Sequence, residues 1–204
     1  MNTWMRSLRI MLIFAFGLAA CNTGVVGSTP VTEIPQTIGD IDEMFINMMV
    51  PHHEGAVEMA LIALERAERA EIRQMAEAII ASQEAEISQM RDWKLAWYGS
   101  SDTPSMSEMP SLHGMPGMGE AGHVMDMQAE VDALRNAPEP FDLAFIDAML
   151  PHHQSAIDAA QEVRNSAVHP EIRELAEGII KEQQREVDQM LAWRAAWYPE
   201  APTP

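Results

Sequence analysis

The sequence predicts an all-α protein: a four-helix bundle built from two copies of one antiparallel helical hairpin. Three observations carry this reading. Apolar residues recur at three- and four-residue spacing in four segments of helical length. Nearly half of the positions in 45–98 recur unchanged in 145–198, which marks a duplication. A stretch rich in Gly, Pro and Ser, without apolar periodicity, separates the copies. One hairpin cannot cover its own apolar stripe and is too small for its own core, so 40–198 should form one bundle with a long crossover between the second and third helices.

Residues 1–20 read as a leader. Arg6 and Arg9 form a charged segment, Ile10 to Phe16 an apolar run too short to span a bilayer as a mature helix, and Gly17-Leu18-Ala19-Ala20 a small-residue cut site. Leu18-Ala19-Ala20-Cys21 resembles a bacterial lipoprotein signal, which implies cleavage before Cys21 and lipid on its thiol and new amino group. A plain secretory leader with an incidental cysteine is the alternative. On either reading the mature protein lies outside the cytoplasmic membrane, in the periplasm or on the cell surface.

Residues 21–39 hold Gly24, Gly27, Ser28, Pro30 and Pro35 and read as a flexible tether. Asp40 is the expected N-cap of the first helix, with Asp42 and Glu43 as acids in its first turn. Ile41, Phe45, Met48, Met49, His52, Ala56, Met59, Ala60, Ala63 and Leu64 then follow helical spacing. Pro51 removes one backbone hydrogen bond and crowds the Asn47 carbonyl, so a kink is expected there. The second helix should run from about Glu71 to Trp97, with Ile72, Met75, Ala76, Ile79, Ile80, Ile87, Met90, Trp93 and Trp97 in line, which closes a first hairpin over 40–98. The insert 99–140 reads as loop to about residue 122, then a brief amphipathic helix with Val124, Met127, Val131 and Leu134 on one side, ended by Pro138 and Pro140. Phe141 to about Ser166 and Glu171 to Trp197 repeat the first two helices as a second hairpin over 141–198, with His169-Pro170 at the turn.

Composition excludes several classes. The 204-residue chain is 47% hydrophobic, enough for a real core. Its net charge of -18 repels nucleic acid and anionic lipid and gathers cations. A single Cys rules out an internal disulfide and a Cys-based zinc cluster. The 17 Met are open to two uses, as gap-fillers of a core or as soft metal ligands.

The chemistry concentrates in a stretch that occurs twice: Met49-Val50-Pro51-His52-His53 and Met149-Leu150-Pro151-His152-His153. In an antiparallel hairpin, residues equally far from the turn lie side by side. With the turn near residue 70, His52 and His53 should face Glu86 to Met90, and His152 and His153 should face Glu186 to Met190. Met49 shares a face with both histidines of its copy, as does Met149. Met48 adds a sulfur in the first copy, where the second has Ala148. Adjacent histidines stand about 100° apart around a helix, so one should point inward and the other sit at a flank. Buried imidazoles without partners are costly, and their convergence with carboxylate and thioether points to a metal. Thioether with imidazole favours copper, Cu(I) over Cu(II); zinc would leave the Met unexplained. No helix carries the Glu-x-x-His of a ferritin-type di-iron centre. The insert offers a second set in Met106, Met109, His113, Met115, Met118, His123, Met125 and Met127, at spacings that a loop can wrap around Cu(I).

Phe45…Met49-Val50-Pro51-His52-His53, Glu71-Ile72-Arg73…Gln83 and Glu86-Ile87…Met90…Trp93, each repeated 100 positions on, resemble the family called domain of unknown function 305. The family includes secreted, Met-rich copper-binding proteins. The resemblance implies a ferritin-like four-helix bundle and copper binding outside the cytoplasm. The chain departs from the family pattern in placing Pro51 and Pro151 before its His pairs.

The expected function is an extracytoplasmic, lipid-anchored copper-binding protein, a buffer or resistance factor rather than an enzyme, with a copper-handling or envelope protein as partner. No nucleophile–base pair or Gly-rich phosphate loop is visible. The rival is a non-metal envelope interaction module in which His, Glu and Gln form a buried polar network.

Overall fold

A computed structural model describes residues 39–108 and 127–202. Cys21, the leader and tether, and the insert residues Met109, His113, Met115, Met118, His123 and Met125 lie outside the described residues. Among the described residues five helices follow in order: α1 (Gly39–Arg66), α2 (Ala70–Tyr98), α3 (Met127–Arg135), α4 (Phe141–Ser166) and α5 (Pro170–Trp197), with a 3-10 turn at Met106–Glu108. The four long helices are the two expected hairpins. α1 begins at Gly39, so Asp40 lies inside the helix instead of capping it. Pro51 and Pro151 leave α1 and α4 unbroken, each helix continuing for three or more turns beyond. α2 ends where Gly99 takes a left-handed conformation (φ 81°) and its N–H bonds Leu95 O at 3.0 Å. Among the described residues no helix is long and apolar enough to cross a membrane.

α1 packs on α2 and α4 on α5, and the hairpins join along α1 and α4. Two apolar clusters form the core, and each draws on both hairpins. One holds Ala56 to Ala63 of α1 with Phe141 to Leu150 of α4; the other holds Phe45 to Val50 of α1 with Ala156 to Val163 of α4. The histidine pairs fall between these clusters along both helices.

Two buried aspartates lock the hairpins together. Asp42, in the first turn of α1, reaches across to the α4–α5 turn. Its carboxylate accepts the Val168 N–H at 3.0 Å, the His169 N–H at 2.8 Å and His169 Nδ1–H at 2.6 Å. Asp142, in the first turn of α4, does the same at the α1–α2 turn, accepting from the Glu68 N–H at 3.0 Å and the Arg69 N–H at 3.1 Å. The start of each inner helix therefore sits at the far end of the other, so α1 and α4 run antiparallel. Rings seal both ends: His169 stacks on Trp97 at 3.8 Å, and the Arg69 guanidinium lies 4.2 Å from the Trp197 ring.

α3 lies against α1 and buries Met127, Val131 and Leu134, three of the four residues expected on its apolar side; Val124 falls outside the described residues. Arg66, at the end of α1, holds the end of α3. Its guanidinium donates to the carbonyls of Leu134 (3.3 Å), Arg135 (2.8 Å) and Ala137 (2.8 Å) and covers the Phe141 ring. Arg135 in turn pairs with Glu58 of α1 at 2.5 Å. The insert's second end is thus fixed to the bundle.

Candidate metal centre

All four histidines of the repeated motif are buried at the middle of the bundle, His52 at 6% exposure and the other three at 0%. Both members of each pair are inside, which corrects the expectation of one inward and one flanking. A helix in a bundle has neighbours on two sides, so a residue 100° off the axis of contact with one partner faces another. His52 and His152 point along the α1–α4 interface, and their rings meet at 3.9 Å between centroids. His53 points at α2, where its Nε2 lies 2.7 Å from Glu86 Oε2; His153 points at α5, with Nε2 2.7 Å from Glu186 Oε2. The hairpin arithmetic thus brings each histidine pair level with its glutamate.

Glu86 and Glu186 meet the histidines as hydrogen-bond acceptors. A carboxylate only accepts, so the Nε2 of His53 and of His153 carries a proton and faces the glutamate, leaving Nδ1 on the other side of each ring. This is the arrangement in which a second group orients an imidazole for a metal on its other nitrogen. Glu86 and Glu186 also line a cleft between α2 and α5, with Ser82, Gln83, Glu182 and Gln183.

Ser155 fixes the tautomer of His52. Its hydroxyl donates to the His152 carbonyl at 2.7 Å, so the 2.8 Å contact with His52 Nε2 has Nε2–H as donor. The Nδ1 atoms of His52, His53 and His153, and both ring nitrogens of His152, are buried without a hydrogen-bond partner, as are Gln83 Oε1 and Gln183 Oε1. Native interiors rarely leave polar atoms so. Burial, first, and the neighbouring imidazoles, second, hold the pKa of His52 and of His152 well below the ordinary 6.5. Both rings are therefore neutral at physiological pH, the form that ligates metal.

The predicted thioethers are core residues on either side of this layer. Met48, Met49 and Met90 pack in one apolar cluster, Met149 and Met190 in the other, with Met49, Met90, Met149 and Met190 fully buried. Among the described residues no three His, Cys, Asp or Glu side chains converge as a metal cage.

Sequence reasoning did not find Ser155 as a partner of His52, nor Asp42 and Asp142 as buried locks. Asp42 has the signature of any first-turn acid. Ser155 gives no signal beyond its difference from Gly55 in the other copy.

The chain matches the family description "Domain of unknown function (DUF305)" over residues 42–194. Among solved structures it is similar to "CopM in the Cu(I)-bound form", at 34% identity and TM-score 0.62, over 77% of this chain and 97% of that one. It is likewise similar to "CopM in the Cu(II)-bound form", at 38% identity and TM-score 0.65 over the same shares. A third similar structure is a putative secreted protein DUF305 from Streptomyces coelicolor, at 25% identity and TM-score 0.62, over 76% of this chain and 93% of that one. No curated protein sequence matches the chain.

Proposed function

Since the chain belongs to the DUF305 family, we propose that it is an extracytoplasmic copper-binding protein, a buffer or resistance factor anchored by lipid on Cys21. One observation carries the metal reading: five buried imidazole nitrogens without partners, gathered where His52 and His152 meet at 3.9 Å. The residues fit copper. His52, His53, His152 and His153 supply imidazole, Glu86 and Glu186 orient two of the rings, and methionine sulfur borders the layer on both sides. The similar protein CopM, solved in Cu(I)-bound and Cu(II)-bound forms, supports the choice of metal. Thioether in the surroundings favours Cu(I) over Cu(II).

The full chain, titrated with Cu(I) against a chromophoric competitor, should bind at least about tenfold more tightly than a variant with all four histidines changed to Ala, a difference of roughly 1.4 kcal/mol. The single variant His152→Gln, which keeps size and polarity, tests the same point where the fourfold change disturbs folding. Equal stoichiometry and affinity in both variants would remove the bundle site. The hydrogen-bonded His53–Glu86 and His153–Glu186 pairs favour one rival, an interaction module with a purely structural polar network. That rival requires the melting temperature to ignore added copper.

The anchor rests on Leu18-Ala19-Ala20-Cys21. Cys21→Ser should move the protein from the membrane fraction to the soluble envelope fraction. Retention of the variant in the membrane fraction argues against lipid on Cys21.

A further inference from the structure

The two copies differ at one position that faces the histidines. Ser155 stands 100 residues after Gly55, and the helices cross so that each position looks at the other copy's inward histidine. On one side the Ser155 hydroxyl occupies His52 Nε2 at 2.8 Å. On the other, Gly55 has no side chain to offer, and His152 Nε2 is buried without a partner. The space a side chain at residue 55 would take is surrounded by soft donors. A Cβ built there would lie 3.4 Å from Met127 Sδ, 3.5 Å from His152 Nε2 and 3.5 Å from Met106 Sδ. Two thioethers and one imidazole nitrogen thus come within 3.5 Å of the space that a side chain at residue 55 would fill.

We infer that Met106, Met127 and His152 form a one-sided site for a soft monovalent cation, Cu(I) or Ag(I), over the bare backbone of Gly55. Thioether and imidazole are soft donors, and Cu(I) accepts few of them. All three donors are neutral, so the buried ion keeps its full charge; desolvation rises steeply with charge, which selects a monovalent over a divalent ion. The donors come from three elements. His152 is held in α4, Met127 begins α3 and is 2% exposed, and Met106 begins the 3-10 turn that packs on α1 and α3. Arg66 and Arg135 pin α3 in place, so Met127 is presented on a fixed helix. The inference rests on the copper-binding reading above but assigns sulfurs that reading does not use. It also gives the two copies different work: His52 is closed by a hydroxyl and His152 is open.

The full chain with methyl-labelled methionine and nitrogen-labelled histidine is titrated anaerobically with Cu(I) and followed by NMR. Met106→Leu and Met127→Leu assign the two methyl signals and remove sulfur at nearly constant volume. Both methyls should shift as copper is added, and the double Leu variant should bind the ion at least tenfold more weakly with an unchanged apoprotein melting temperature. Gly55→Ser supplies a hydroxyl to His152 as Ser155 does to His52, and should abolish both shifts; Ser155→Gly should leave them in place. Methyl signals that stay still while histidine nitrogens move overturn this site and leave the proposed function standing. If neither set moves, both fall. Shifts that persist undiminished in Gly55→Ser overturn the asymmetry on which the inference is built.

Discussion

Apoprotein stability is expected to fall steeply with acid, approaching about 2.7 kcal/mol per pH unit once the pH is well below 6.5. The cause is the pair His52 and His152. Their folded pKa values lie well below 6.5 because burial, then neighbouring imidazoles, disfavours charge. In the unfolded chain both return to the ordinary value. Above pH 6.5 neither state carries these protons, and the pair contributes no slope. Below it the unfolded chain takes up two protons that the folded protein refuses, so acid favours unfolding until the folded pKa values are reached. Chemical denaturation of the metal-free protein at a series of pH values reads this directly. Replacing both residues with Leu should remove about two protons from the slope while leaving the contributions of other groups. An unaltered slope in that variant means the two rings are not the groups that resist protonation.

Asp42→Ala should cost about 3–5 kcal/mol and lower the melting temperature by roughly 10 °C. The substitution strands two backbone N–H groups and the His169 ring, each now bonded at 2.6–3.0 Å. A donor left without an acceptor costs the desolvation of that group, tempered here because the Val168–His169 turn is part-exposed and water can reach it. Asp142→Ala strands two backbone donors and a loose ion pair with the half-exposed Arg69 at 3.8 Å, and should cost less. Asp42→Asn keeps the shape but has a single acceptor oxygen, and should fall between wild type and Ala. Thermal melts of the four proteins give the order. A drop of under about 2 °C for Asp42→Ala would mean that the turn finds other acceptors and the contact is not a lock.

Much of the fold was legible because helical periodicity and repetition are local signals. Phe141–Ser166 begins and ends where its apolar spacing does, and the duplication alone implied paired hairpins. The meeting of His53 with Glu86 followed from equal rise along two antiparallel helices. What stayed hidden depends on the third dimension between hairpins. Asp42 reads as an ordinary first-turn acid, and its buried role appears only when the α4–α5 turn is placed above it. The burial of both members of each histidine pair needed neighbours on two sides of the helix, which one helix's pattern does not reveal. Met127 was visible both as an apolar residue of a short helix and as a sulfur of the insert. Its place beside His152 needed the packing of α3 on α1.

The two aspartate contacts are one contact made in both directions, so a dimer of identical hairpins would satisfy the same pattern. Such a homodimer must carry the same residue on both sides of its axis: two glycines or two serines. Joining the halves in tandem lifts that obligation. The fused chain can assign glycine to one half and serine to the other, and so keep a single lopsided pocket that no symmetric ancestor of the arrangement could hold.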